Sequence, residues 1–245
     1  MWMLLVMWMG LQTAPCPESV IAEAQAVRDR QGRPAEMAFL ERRLSGCVPG
    51  TWVRFETANR YIEWSESLKG DKRQSSALEK GFAWARSAVR TDPRNSLSHE
   101  ILATAYGAKI NQSGLVGQMR LADSVRVHAL RAVELNPRNP RALHILGRWH
   151  YELANLGWVT SLFAGMVTDA DVSGAPKSSL AYFRRAYDVS PSMQNRYWLG
   201  KGLALNGSKA ETRRLFAEGA RLKAANPMEE SMRAEMIAWL RMNPR

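Results

Sequence analysis

The chain has 245 residues, 46% of them apolar, enough to bury a substantial core in one elongated domain or two compact ones and too many for a disordered chain. Its formal charge of +11 lies beyond residue 70, since residues 1–70 hold eight Lys/Arg and eight Asp/Glu, against 26 and 15 in residues 71–245. That excess attracts acidic partners or anionic lipid. Its arginines nevertheless alternate with glutamates at helical spacing, with no basic block and no aromatic nucleic-acid signature, which disfavours nucleic acid.

The first segment, MWMLLVMWMGLQTAPC, is apolar through Leu11. An apolar run of about ten residues is too short to cross a bilayer as a helix and fits the apolar region of a secretory signal. Residues 1–16 are therefore expected to be a signal peptide or membrane-anchoring segment. Residues 17–245 then form the folded domain, exported to the periplasm or held at a membrane. A buried first helix and a cytoplasmic location are the alternatives. Only two cysteines occur, Cys16 and Cys47. If residues 17–30 and 34–44 form an antiparallel helix pair, both cysteines fall at its open end, where a disulfide is reasonable and would agree with export. Two unrelated thiols are the other reading, and no Cys/His spacing suggests a metal.

Further along, a helical stretch ending in an apolar residue, then a polar residue and proline, recurs as ARSAVRTDP, ALRAVELNP, FRRAYDVSP and, more loosely, ARLKAANP. Proline costs about 3 kcal/mol in a helix interior, so each of these marks a boundary. The spacing predicts helices at 18–30, 34–45, 51–69, 72–91, 95–111, 118–135, 139–158, 176–189, 193–206, 208–224 and 228–242, with no strand alternation of useful length. Short turns at Gly32, Gly70 and Gly207 separate neighbours. The chain reads as an all-α solenoid of about five helical hairpins plus a C-terminal capping helix, offering a long concave surface. Residues 157–176 interrupt this rhythm, as a loop folded onto the protein, a lid or a membrane-touching element.

Within the fourth hairpin, Leu143, Leu146, Gly147 and His150, then Phe183, Ala186 and Pro191, fall where a tetratricopeptide repeat places its small and large residues. A closer resemblance is carried by three phrases together, ARSAVRTDPRNSLSHEILATAYG, HALRAVELNPRNPRALHILGRWHYELANLGW and YFRRAYDVSPSMQNRYWLGKGLALNG. Their succession resembles the regulator of microtubule dynamics protein family over about residues 18–242, most specifically in the run from Leu146 to Glu152 followed by Leu156, Gly157 and Trp158. The resemblance implies a tetratricopeptide-like domain and, in eukaryotic members, microtubule association. The apparent export signal makes this chain look like a bacterial homologue.

The run ALHILGRWHYELANL sorts into two faces. Ala142, Leu146, Trp149, Leu153 and Leu156 form one apolar stripe, expected to be core. His144, Arg148, Tyr151 and Asn155 recur about 200° away with Glu152 beside them, a face that can line a groove. Arg148 could pair with His144 or Glu152 on a solvated surface. Alternatively, Arg148 and Tyr151 contact an acidic or extended peptide, with Arg54, Tyr61 and Arg196 extending the surface.

Catalysis finds little support. His99, His128, His144 and His150 lie singly on predicted helices, no HExxH, GxSxG, P-loop or dinucleotide pattern occurs, and Glu229 and Glu230 open the last helix, where capping explains them. The expected function is thus a non-catalytic scaffold mediating protein–protein interaction, with no metal or cofactor. A membrane-surface assembly factor is the runner-up, and an unrecognised hydrolase comes third.

Overall fold

A computed structural model describes residues 14–110, 112–155 and 175–244. These form eleven helices among the described residues: α1 (Ser19–Gln31), α2 (Arg33–Leu44), α3 (Thr51–Ser67), α4 (Arg73–Thr91), α5 (Ser96–Ile110), α6 (Leu115–Leu135), α7 (Pro140–Asn155), α8 (Ala175–Val189), α9 (Met193–Leu205), α10 (Lys209–Ala220) and α11 (Pro227–Met242). Each corresponds to one of the stretches expected from apolar spacing. The expected leader and the 157–176 insertion lie almost wholly outside the described residues.

Local chemistry sets the boundaries. Pro93, Pro137 and Pro191 each stand two residues beyond a helix end, whereas Pro227 is the first residue of α11, where its missing amide hydrogen costs nothing. Asn226 caps α11 by accepting from the Glu229 amide at 2.9 Å, and the Glu229 carboxylate accepts from the Ala225 amide at 2.8 Å. The three short turns pass through Gly32, Gly70 and Gly207, all at positive φ, which side-chain-bearing residues rarely adopt.

Consecutive helices pair as hairpins, α1 with α2, α3 with α4, α5 with α6, α7 with α8 and α9 with α10, and α11 packs on α9 and α10. The chain divides into two compact units, residues 1–92 and 93–245. The first holds α1 to α4, with Val20, Ala24, Met37, Leu40, Val53 and Tyr61 in its core. Cys16 and Cys47 are joined there by a disulfide, and the adjoining backbone pairs through Cys16 N–H to Val48 O and Val48 N–H to Ala14 O, both 2.9 Å. Glu36, fully buried, is held between Arg33 at 3.3 Å and Arg60, as a buried carboxylate must be.

The second unit uses close helix approach. Built onto Gly147, a Cβ would stand 2.5 Å from the Phe183 ring, and onto Gly200, 2.0 Å from the Phe216 ring. Each aromatic on a second helix therefore fills space that only a glycine on the facing first helix leaves. Between α5 and α6 the small side chains Ala103 and Ala129 are fully buried and permit a close approach. The helices α5, α7, α9 and α11 touch in succession, so the first helix of each hairpin borders the next. The fold is all-α and tetratricopeptide-like.

Candidate functional site

Trp198, half-buried on α9, is the centre of the most developed side-chain cluster. The Arg148 guanidinium from α7 lies 4.4 Å from the centroid of its ring, and Tyr151 meets the ring edge-on at 5.5 Å. Lys201, three residues on from Trp198 and so on the same helix face, places its ammonium 5.7 Å from Tyr151, 5.5 Å from Tyr197 and 6.0 Å from Trp198. Ring quadrupoles attract such cations by roughly 0.5–1 kcal/mol each at exposed sites. Two positive charges are thus fixed on one aromatic platform.

Each cation also has a carboxylate. Arg148 Nη2 donates to Glu152 Oε1 at 3.1 Å, and Lys201 Nζ lies 4.0 Å from Glu235 Oε2 on α11. Glu235 accepts a hydrogen bond from the Tyr197 hydroxyl. Burial, and then this bond, push the Tyr197 pKa up.

Beneath the platform is His144, which sequence periodicity put on the groove face and the structure buries. The reason is the position of α7, which packs against α5 and α6 as well as against α8 and α9. Two of its faces are therefore covered, and Leu143, His144 and Gly147 join the apolar stripe in the interior. The imidazole meets Trp198 edge-on at 6.0 Å and shares a 3.0 Å hydrogen bond between its Nδ1 and Asn195 Oδ1. Asn195 Nδ2 donates to the carbonyls of Ala186 and Ser190, so its Oδ1 can only accept and His144 Nδ1 carries the proton. Burial, then the Arg148 charge, lowers the His144 pKa to about 4. This histidine is a neutral, hydrogen-bonded core group packed edge-on against Trp198.

The other anticipated residues separate. Tyr151 and Glu152 belong to the platform; Asn155 is exposed and donates to the Tyr151 carbonyl of its own helix at 2.8 Å. Arg196 points to the opposite side of α9, 5.2 Å from the Tyr187 ring of α8 and 2.7 Å from Glu218 of α10, and does not join Trp198. In the first unit Arg54 donates to the Pro49 carbonyl at 2.9 Å and to Ser87, holding the start of α3 to α4. Tyr61 is buried, its hydroxyl donating to Glu41 at 2.7 Å beneath Lys80. Arg54 and Tyr61 therefore hold the first unit together, and Tyr61 offers no open surface. The stripe residue Trp149 is half-buried, its indole donating to the Ala122 carbonyl at 2.9 Å.

Sequence reading missed Tyr197, Trp198, Lys201 and Glu235. The signal was present in YWLGK, where an aromatic pair precedes a lysine by three and four residues. It also missed that two of the histidines meet: His99 of α5 and His128 of α6 approach to 3.0 Å between their Nδ1 atoms. His99 Nε2 faces the Pro93 carbonyl at 2.9 Å and must donate to it. In the neutral pair His99 Nδ1 accordingly accepts from His128 Nδ1, and burial followed by the His99 charge lowers the His128 pKa. Among the described residues no group of three His, Cys, Asp or Glu side chains could hold a metal, and no helix is long and apolar enough to cross a membrane.

Comparison with known proteins agrees with this architecture. The family profile described as Regulator of microtubule dynamics protein 1-3 matches residues 53–242, leaving out α1 and α2, which the sequence resemblance had included. Regulator of microtubule dynamics protein 3 from Rattus norvegicus is 24% identical over 159 residues, 64% of this chain and 34% of that protein. Regulator of microtubule dynamics protein 1 from Homo sapiens is 25% identical over 137 residues, 55% of this chain and 44% of that protein. These alignments span less than half the length of either relative. Among solved structures, a thermophilic tetratricopeptide-repeat protein from Thermus thermophilus superposes with a TM-score of 0.63 over 90% of this chain and 98% of its own, at 13% identity.

Proposed function

The chain belongs to the regulator of microtubule dynamics protein family, and from that premise we propose that it is a non-catalytic scaffold binding another protein at the Arg148–Trp198–Lys201 platform. The observation that carries the reading is the platform itself, two cations seated on aromatic rings that are in turn fixed by packed helices. A surface ordered before binding spares the partner most of the entropic cost of arranging it. Arginine and aromatic side chains are also the groups that concentrate binding energy at interfaces. The partner that fits is an extended acidic segment. Arg148 offers its planar fork to a carboxylate and Lys201 a point charge, in a unit whose residues 93–245 carry 21 Lys/Arg against 12 Asp/Glu. The microtubule role stays with the relatives whose names carry it.

The test is calorimetric titration with an oligoglutamate peptide at low ionic strength, using oligolysine of equal length as the control. Arg148→Met with Lys201→Met keeps the stems against the rings and removes both charges, and is expected to weaken oligoglutamate binding about ten-fold while helicity is unchanged. Equal affinity of wild type and variant overturns the assignment. Export is part of the same proposal and is supported by the Cys16–Cys47 disulfide, since such bonds persist in oxidising compartments. Alkylation of both thiols in intact cells without prior reduction would contradict it. The membrane-surface alternative rests on the basic body, which would face anionic lipid, and on residues 1–16 and 157–167, of which only residues 14–16 are described.

A further inference from the structure

The platform is neutral as folded, two cations against two carboxylates, although the unit around it is strongly basic. We infer that Glu152 and Glu235 are built-in competitors that hold Arg148 and Lys201 until an acidic segment replaces them, an inference that rests on the binding reading above. What holds each partner in place decides which one leaves. Arg148 is stacked on Trp198 at 4.4 Å and Lys201 sits among three rings, so both cations keep their positions without a carboxylate. The carboxylates are the looser members. Glu152 receives one hydrogen bond from Arg148, four residues earlier on the same helix, an arrangement worth only tenths of a kcal/mol. Glu235 is 57% exposed against 33% for Lys201, and the two are separated by 4.0 Å.

Two consequences follow for the partner. A lone carboxylate gains little, because it exchanges one weak ion pair for another. A segment that presents two carboxylates together replaces Glu152 and Glu235 in one event, the second exchange being intramolecular. The site thus selects runs of acidic residues over isolated ones. Glu235, which also accepts from the Tyr197 hydroxyl, is the more firmly held of the two competitors.

Glu152→Gln combined with Glu235→Gln tests this, because glutamine keeps the side-chain shape and the acceptor for Tyr197 while removing both charges. The expected result is oligoglutamate affinity raised about five-fold over wild type, and lowered again when Arg148→Met and Lys201→Met are added. If the cation variant weakens binding but the glutamine variant binds like wild type or worse, the competition is overturned and the binding reading stands. If oligoglutamate binds neither wild type nor the glutamine variant, both readings fall.

Discussion

The two units share hairpin geometry and differ in what holds the hairpins. The first is closed covalently by Cys16–Cys47 and carries a buried carboxylate, Glu36, between two arginines. Its charge is nearly balanced, with 13 Lys/Arg and 11 Asp/Glu in residues 1–92. The second contains neither cysteine. It relies on glycine–aromatic interlocks and keeps all four histidines, of which His144 is sealed in the neutral form. Tetratricopeptide-like packing asks only for small residues against large ones, so charge and covalent links are free to differ between hairpins. Both units seat cations over aromatic rings, Lys80 over Tyr61 in the first and Arg148 over Trp198 in the second, but only in the second do two cations share one ring, that of the half-buried Trp198, among the described residues.

The largest separation between the units should come from the disulfide. Replacing Cys16 and Cys47 by alanine removes a cross-link spanning 31 residues, and the loop-closure relation puts the loss at about 4 kcal/mol. Hydrogen exchange should show faster opening of α1 to α4 with α5 to α11 unchanged; an equal loss of protection in both units would erase the distinction. Next is Gly200→Ala, which places a Cβ 2.0 Å from the Phe216 ring and should cost the second unit about 3 kcal/mol by overpacking. The matching change in the first unit, Gly81→Ala, meets Ile62 Cγ1, Tyr61 Cβ and the Ile62 backbone nitrogen at the looser distances of 3.0–3.2 Å. There the gain in helix propensity of roughly 1 kcal/mol offsets most of the crowding. Denaturant unfolding of the two variants measures the difference directly.

Acid provides a smaller contrast. The folded His144 pKa lies below its ordinary 6.5, so the native state resists protonation while the unfolded chain accepts it. Stability from this group is complete above about pH 6.5 and is lost as pH falls toward 4, on the order of 2–3 kcal/mol. His128 and His150 are shifted the same way, mainly by burial. Between pH 6.5 and 5 the second unit should therefore loosen while the first, which has no histidine, does not. His144→Gln should flatten that slope, and an unaltered slope would show that another group is responsible.

Much of the fold was legible in the sequence because its punctuation is local. Proline cannot continue a helix, glycine supplies the positive-φ turns, and apolar spacing fixes one buried face per helix. The platform was only half legible for the same reason. Periodicity assigned Arg148, Tyr151 and Glu152 to one face of α7, but Trp198, Lys201 and Glu235 arrive from two later helices, brought there by the succession α7, α9, α11. His144 and Tyr61 were misplaced because a helix covered by several neighbours buries more than one face, and a single stripe does not reveal the second. The His99–His128 pair was hidden because its members lie on different helices.

The central claim is that binding belongs to the platform of the second unit, and a hydrogen-exchange footprint with saturating oligoglutamate tests it most directly. The account predicts added protection in residues 148–155 of α7 and 197–201 of α9, with α1 to α4 unchanged. Protection confined to α1 to α4, or bound peptide that leaves α7 and α9 unprotected, would contradict it.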